Sequence, residues 1–386
     1  MPELRRLLVR HRAFAALAVI LAVAACGSPP PSASPSPTPT PTEAPTPVPV
    51  ATPRLGAFGV APSMTALRIA ASATLLADGR VLIAGGSGRG HNLTSAELFS
   101  PDTGLFTATG SMTYARSWQT ATSLPGGRVL IVGGSGNKSA EIYNPANGHF
   151  SRTSATKDTL SYQTATALID GRVLVAGGTT GFTYLAKTEI YNPFTGKFIR
   201  ARSMHDAREF ASAVLLPDGR VLIAGGDQGV SKKSRIILAG AEIFDPGTGR
   251  FSQAASMHYG RSHFEMVLLP SGLVLAIGGL STGVFAGIAT SAELYDPNTN
   301  AWTVTGPMSI GRSDFSATVL ADGRVLVAGG GDNSSEIFDP ATATFQMAKD
   351  MLSARVSQTA TLLADTRVLM AGGNVAGDSA AELYNP

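Results

Sequence analysis

Few side chains in this sequence could do chemistry, and they are not grouped. Beyond the N-terminal segment, the histidines are His91, His149, His205, His258 and His263. Only the last two are close, and a pair five residues apart is more typical of a surface or hydrogen-bonded pair than of a metal site. The sequence contains no phosphate-binding loop, no G-x-S-x-G and no H-E-x-x-H. We therefore predict no metal site, no cofactor and no catalytic residue.

Cysteine and charge exclude further classes of function. The only cysteine is Cys26, so an intramolecular disulfide, a cysteine-based zinc site and a Cys-x-x-Cys redox centre are excluded. The chain carries 30 basic and 27 acidic residues, but residues 1–25 hold four arginines and one acid. The remainder therefore has 26 residues of each sign, which argues against a nucleic-acid partner.

The elements that must position any site repeat seven times. Each unit contains a segment of the type DGRVLIAGG, then Glu with an apolar residue and an aromatic, then a step into Pro. The seven segments begin at Asp78, Gly126, Asp170, Asp218, Ser271, Asp322 and Asp365. A Met or Thr precedes each first glycine by 21 residues, whereas the interval from that glycine to the Glu varies from 7 to 17. Four short strands in units of 43 to 53 residues predict a β-propeller with one variable loop per unit.

The glycine doublet and the aromatic spacing resemble the kelch repeat, most fully from Tyr295 to Trp302. The resemblance covers residues 55–386 and implies an all-β, seven-bladed kelch-type propeller similar to the central domain of galactose oxidase. The seventh unit stops at Pro386 without a fourth strand. Phe58 precedes Met64 by six residues, the interval seen after every other final aromatic. We therefore predict that residues 55–61 supply that strand and close the ring.

The kelch resemblance includes a copper radical oxidase, whose cofactor needs a tyrosine crosslinked to a cysteine and two histidine ligands. Cys26 lies in the N-terminal segment, so this chain does not match that site, and we expect no oxidase activity.

The repeated glutamates are predicted to be structural, because seven equivalents in a ring argue against a catalytic role. They are Glu97, Glu141, Glu189, Glu242, Glu293, Glu336 and Glu382. Two sets of arginines could neutralise them between blades. One set follows the Met by four residues in every unit except the third, which has Leu160. The other set follows the Asp-Gly turn in six units.

The strand directions predict which rim carries the ligand. The variable loop and the segment from the Met into the first strand should share one rim, opposite the uniform Asp-Gly and Pro turns. Two residues beyond the arginine, the residue type differs from unit to unit. Kelch-like ligand sites use this neighbourhood at the channel mouth, so the resemblance implies ligand-binding roles for Trp118, Tyr162, Phe210, His263 and Asp314. The alternative is that these side chains only fill the channel.

The first 54 residues predict where the protein is located. Arginines up to Arg12 precede an apolar run, Ala13 to Ala25, which fits a signal peptide (residues 1–25) but is too short to span a bilayer. The run ends at Val23-Ala24-Ala25-Cys26-Gly27, which resembles the lipobox of bacterial lipoproteins and implies lipidation of Cys26. Residues 27–54 hold 11 of the 24 prolines and predict an extended tether. The alternative is cleavage after Ala24 and a free secreted protein.

These observations predict a monomeric, lipid-anchored extracytoplasmic module that binds a glycan or a protein on the variable-loop rim. One alternative is a carbohydrate-active enzyme such as a kelch-type mutarotase or a lyase. Its acid and base groups would come from Arg208, Glu209, His263, Glu265 and Asp314. Another alternative is a structural surface scaffold. The longest variable loops, 227–241 and 280–292, should flank the site and present Lys232, Lys233, Arg235 and Phe285.

Overall fold

The protein is described by a computed structural model over residues 55–229, 235–281 and 287–386. Within these ranges no residue lies in a helix, and seven four-stranded antiparallel sheets form the blades of a propeller. The first strands of consecutive blades contact each other in turn, and the first strand of blade 7 contacts that of blade 1. The seven first strands therefore line a central channel, which confirms the predicted fold.

The blades have the following strands. Blade 1 has β2 (Ser72–Leu75), β3 (Val81–Ala84), β6 (Ala96–Phe99) and β7 (Phe106–Ala108). Blade 2 has β8 (Thr120–Ser123), β9 (Val129–Val132), β10 (Ala140–Asn144) and β11 (His149–Arg152). Blade 3 has β12 (Thr164–Ala167), β13 (Val173–Ala176), β14 (Thr188–Asn192) and β15 (Lys197–Arg200). Blade 4 has β16 (Ser212–Leu215), β17 (Val221–Ala224), β20 (Ala241–Asp245) and β21 (Arg250–Ala254).

The remaining blades follow the same order. Blade 5 has β22 (Glu265–Leu268), β23 (Val274–Ile277), β26 (Ala292–Asp296) and β27 (Ala301–Val304). Blade 6 has β28 (Ser316–Val319), β29 (Val325–Ala328), β30 (Ser335–Asp339) and β31 (Thr344–Met347). Blade 7 has β32 (Thr359–Leu362), β33 (Val368–Ala371), β34 (Ala381–Asn385) and β1 (Ala57–Ala61). Three variable loops form ribbons: β4 (Ser87–Gly88) with β5 (His91–Asn92), β18 (Asp227–Gln228) with β19 (Ile236–Ile237), and β24 (Leu280–Ser281) with β25 (Gly287–Ile288).

The core lies between neighbouring blades, because each second strand is apolar on both faces. In the interface of blades 1 and 2, Leu82 and Leu98 pack against Val129, Ile131 and Tyr143. Full burial of an aliphatic or aromatic side chain of this size contributes about 1.5–3 kcal/mol. The continuous VLIA-type runs are therefore what makes the blades stack.

The N-terminal strand closes the ring as predicted. β1 pairs with β34 in an antiparallel register that places Phe58 opposite Tyr384. The two rings lie 5.0 Å apart, within the range of the aromatic pairs that join the third and fourth strands of other blades. This register also puts Ala57 at the turn rim and Ala61 at the variable-loop rim. The chain therefore enters the propeller on the side opposite the variable loops.

The recurring glutamates are buried in the interfaces between blades, and the first set of arginines neutralises six of the seven, all except Glu189. Arg116 Nη2 lies 2.9 Å from Glu141 Oε1, and five other units have the same pair. Each of these arginines also donates to the carbonyl of the first glycine of its doublet, as Arg116 Nη1 does to Gly133 at 2.7 Å. The prediction for the second set is wrong. Five of those six arginines bind the aspartate of their own turn, as Arg80 binds Asp78 at 2.6 Å, and the turn before the sixth, Arg128, contains no aspartate.

The glycine doublet has a structural role. Gly85 and Gly86 have φ of +64° and +90°, and a Cβ on Gly85 would lie 2.7 Å from the carbonyl oxygen of Arg116. Gly86 N donates to that same oxygen at 2.9 Å. Side chains are excluded here because the next unit's backbone passes too closely. The doublet therefore joins each unit to the next.

Candidate functional site

The channel mouth on the variable-loop rim is formed by one residue from each unit. We call this set the mouth ring; its members are Ala70, Trp118, Tyr162, Phe210, His263, Asp314 and Ser357. All seven have φ between +51° and +58°, a left-handed conformation that non-glycine residues seldom adopt. Six steps of the ring carry a backbone hydrogen bond from one member's N–H to the previous member's carbonyl, at 2.7 to 3.4 Å. These bonds help to offset the strain, and Ala70 shares them, so the strain belongs to the architecture rather than to a ligand.

The side chains of the mouth ring are distributed unevenly. Trp118 contacts Tyr162 edge-on at 5.3 Å, and Tyr162 stacks on Phe210 at 4.0 Å. Phe210 stacks in turn on the His263 imidazole at 3.6 Å. Stacked and edge-on contacts of this kind hold rings in fixed positions. A rigid aromatic ladder therefore occupies one side of the mouth, and small residues occupy the other.

The ladder ends in an imidazole–carboxylate pair. His263 Nδ1 lies 2.9 Å from Asp314 Oδ1. Because a carboxylate can only accept, the Nδ1 atom carries the donated proton. The Asp314 side chain is about a quarter exposed, and its Oδ2 has no hydrogen-bond partner among the described residues. The pair therefore presents an open carboxylate oxygen at the mouth.

Glu265 follows His263 by two residues and is the first residue of β22, the strand of blade 5 that lines the channel. The first strands of the other six blades begin with Ser or Thr at this register. Burial raises the pKa of Glu265 to about 8, and the negative charge of Asp314 adds to the effect. No described residue donates a hydrogen bond to its carboxyl group. Near neutral pH this side chain is therefore mostly protonated.

The cavity at the mouth has a volume of about 220 Å³. It is lined by Trp118, Phe210, His263, Asp314, Glu265, Gln119 and Gln358, with small and aromatic residues between them. The structure therefore brings four of the five predicted site residues to one cavity. The fifth, Tyr162, does not line it; its ring is stacked on Phe210 and contacts Trp118 edge-on.

The sequence analysis missed the glutamines of this cavity. The amide nitrogens of Gln119 and Gln358 donate to the carbonyls of Ala84 and Ala328 at 2.8 and 2.7 Å. Carbonyls only accept, so the amide orientation is fixed, and each buried Oε1 is left without a hydrogen bond among the described residues. Both follow a mouth-ring residue directly, and that position also varies among the units. That variation was the available signal.

Two of the suggested acid–base residues do not lie at the cavity. Arg208 is buried in the interface between blades and bound to Glu242 at 3.0 Å, so its role there is structural. Glu209 pairs through its backbone with Asp227 in the variable loop and does not line the cavity. The two neighbouring histidines also separate. His258 Nδ1 binds Glu293 at 2.9 Å, whereas His263 binds Asp314.

The long loops flank the mouth where they are described. Arg235 Nε lies 2.8 Å from Oδ2 of the buried Asp227, and its Nη2 donates to Ser262 Oγ at 3.1 Å. Ser262 directly precedes His263 and bridges to Leu280. Both loops therefore touch the segment that positions His263. Lys232, Lys233 and Phe285 lie outside the described residues.

Comparisons with known proteins support the repeat and the fold. No family model matches the chain. The kelch-like protein 15 of Danio rerio is 30% identical over 107 residues, which is 23% of this chain and 17% of that protein. The structure of a fungal alcohol oxidase of the AA5 family, in complex with copper, aligns with a TM-score of 0.71 at 18% identity. That alignment covers 86% of this chain and 77% of the oxidase. The chain is therefore similar to a kelch-like protein over part of its length and shares the propeller fold of the oxidase.

The copper of that oxidase does not fit the side chains of this channel. Within the described ranges, no three His, Cys, Asp or Glu side chains converge as metal ligands. The single imidazole of the mouth, His263, is stacked on Phe210 and bound to Asp314. Tyr162 is stacked in the ladder, and burial raises the pKa of its hydroxyl. The similarity to the oxidase therefore concerns the fold alone.

Proposed function

We propose that the propeller is a binding module whose glycan or protein ligand enters the channel mouth. The observation that carries this proposal is the asymmetry of the mouth ring. Three stacked rings and the edge-on Trp118 lie on one side, Ala70 and Ser357 leave room on the other, and polar groups line the space between. Concave sites with aromatic walls and a few convergent polar groups are typical of ligand sites. Side chains that only filled the channel would leave no cavity.

We further propose that the module is anchored through a lipid on Cys26, which lies outside the described residues. The propeller supports this arrangement because β1 begins at the turn rim, opposite the mouth. Changing Cys26 to Ser should move the protein from the membrane fraction to the soluble fraction. Retention of the Cys26→Ser variant in membranes would overturn the anchor.

The binding site is tested by a glycan array and by capture of protein partners with the full-length chain. Phe210→Ala removes one step of the ladder, and it should abolish binding of any ligand that is found. Phe194→Ala is the matched control, because Phe194 is 77% exposed on the opposite rim. A ligand lost with Phe194→Ala and kept with Phe210→Ala would place the site on the turn rim.

A second candidate function is supported by one observation. The His263–Asp314 pair and Glu265, whose pKa of about 8 lies near neutral pH, could act as acid and base on a sugar. Mutarotase or lyase activity is measured on purified protein with reducing sugars and with uronic-acid polymers. Turnover that disappears in Asp314→Asn would favour the enzyme over the binding module.

A further inference from the structure

The charged groups at the mouth cavity are predominantly acidic. Among the residues that the structure describes, its walls contain Asp314 and Glu265 but no lysine or arginine. The arginines that precede the mouth-ring residues by two positions, such as Arg261 and Arg312, are buried and bound to Glu293 and Glu336. They therefore do not neutralise the cavity. The imidazole of His263 is already engaged with one oxygen of Asp314.

Glu265 is the unusual member of this group. The other six blades have Ser or Thr at this position, whereas blade 5 has the carboxyl group of Glu265, which accepts no hydrogen bond from the described residues. A half-buried carboxylate without a partner is costly to ionise, and the cost is reduced when a cation enters. The charged or titratable groups around it are Asp314 and His263, with Tyr162 and Glu209 behind the ladder. None of these supplies a fixed positive charge.

The neutral walls also suit a cation. Trp118 and Phe210 line the cavity, and aromatic rings attract an ammonium group through their quadrupole. The amide oxygens of Gln119 and Gln358 add two unpartnered acceptors within the walls. The converging groups do not form a metal-ligand set within the described ranges, so the cation is an organic one.

We infer that the mouth cavity binds a protonated primary amine on a slender stem, such as the side chain of a lysine presented by a protein partner. This inference rests on the proposed binding function and names the chemistry of its ligand. The volume of about 220 Å³ is smaller than the roughly 300–1,000 Å³ of sites that enclose a drug-sized molecule. A single side chain fits that size better than a sugar oligomer does.

The charge is tested with three probes of similar shape: n-butylammonium, butan-1-ol and butyrate. Binding to the full-length chain is followed by calorimetry and by the fluorescence of Trp118, with Trp118→Phe to identify the signal. Butylammonium should bind at least about tenfold more tightly than butanol, and butyrate should bind more weakly still. Equal binding of the alcohol and the ammonium would overturn the inference.

Proton release supplies a second readout. At pH 7, a carboxyl group with a pKa of about 8 is roughly nine-tenths protonated, so a bound cation should expel close to one proton. Calorimetry in buffers of different ionisation enthalpy measures that proton. Glu265→Thr should abolish the release and weaken butylammonium binding about tenfold or more. Thr is the native residue at this register in other blades, so this variant should fold.

The remaining variants separate charge from structure. Asp314→Asn should weaken butylammonium binding, whereas Asp102→Asn should not, because Asp102 is an exposed residue on the turn rim. A lysine-containing peptide should compete with the probe. Competition by glucosamine oligomers but not by the peptide would overturn the lysine assignment.

Failure of the inference and failure of the proposed function give different results. Loss of an array ligand in Phe210→Ala, without preference for butylammonium, would overturn the charge inference and leave the site in place. Binding of that ligand unchanged in Phe210→Ala would overturn the site itself, and the inference with it.

Discussion

One substitution made in two blades tests the role of the recurring glutamates. Glu141 is fully buried, and its carboxylate accepts from the backbone N–H of Thr113 at 2.8 Å and from Arg116 at 2.9 Å. Gln at this position would place an NH₂ group against one of these donors and leave the buried Arg116 without its counter-charge. Breaking a buried ion pair in this way costs about 3–5 kcal/mol.

Blade 3 offers the matched comparison. Glu189 is also buried, but Leu160 stands where other units have arginine, and Glu189 Oε2 has no hydrogen-bond partner among the described residues. Its Oε1 accepts only from Lys157 N at 2.8 Å. Burial raises the pKa of Glu189, so keeping it ionised near neutral pH costs stability. Glu189→Gln should therefore change the free energy of unfolding by less than about 1 kcal/mol at pH 7, or raise it.

The two variants are compared by urea unfolding at pH 7, followed by circular dichroism and by fluorescence. Because the pKa of Glu189 is raised in the folded state, the ionised wild type loses stability as pH rises above the ordinary range of a glutamate. The relative stability of Glu189→Gln should therefore increase from pH 5 to pH 8. Equal losses in Glu141→Gln and Glu189→Gln would refute the assignment of the arginine as the group that makes the buried carboxylate tolerable.

Three further predictions follow from the contacts. The free energy of unfolding of the wild type should fall by up to several kcal/mol between about pH 4.5 and 8, because only the folded state keeps the Glu265 carboxyl group protonated in that range. Glu265→Gln should remove this pH dependence. Parallel melting profiles of the two proteins from about pH 4.5 to 8 would contradict the prediction. Deleting residues 54–63 should expose the edge of β34 and cause aggregation, which gel filtration detects; a monomeric variant with unchanged melting would disprove closure. Arg235→Ala should cost roughly 2–3 kcal/mol because Asp227 stays buried without its partner, whereas the exposed Arg128→Ala should cost little in the same melts.

Most of the fold could be predicted because it depends on spacing. The glycine doublets and Asp-Gly turns require backbone conformations that few residues other than glycine adopt, so they mark every strand end in the sequence. The six-residue interval from Phe58 to Met64 identified the closing strand, because the same interval follows the final aromatic of every other blade. The choice between the two sets of arginines could not be made, since both lie at fixed distances from the glycine doublet and at variable distances from the glutamates that follow them along the chain. Only packing shows that Arg116 reaches Glu141 whereas Arg80 folds back onto Asp78.

The candidate site was predicted in position but not in character. Variation at one register, together with the resemblance to kelch-like ligand sites, predicted that Trp118, Phe210, His263 and Asp314 lie at the channel mouth, because repeated positions maintain the ring and unrepeated ones are free to differ. The left-handed backbone of the mouth ring could not be foreseen, since aromatic residues ordinarily prefer extended conformations. The packing of Tyr162 against Trp118 and Phe210 depends on contacts between three blades and could not be predicted from the sequence. The environment of Glu265 likewise results from the closed channel rather than from its own sequence neighbours.

The pairing of β1 with β34 also imposes an order on synthesis. Phe58 lies opposite Tyr384 in the sheet, so β1, the first strand of the propeller to be synthesised, cannot pair until β34, the last, has been synthesised. Such a distant contact is entropically expensive and slow to form, and until it forms blade 7 presents an unpaired edge. A chain that stops before β34 has no partner for β1 and cannot close. Pairing of the closing strand is therefore possible only when all seven blades are present. Until then, an unpaired strand edge stays exposed to aggregation and proteolysis.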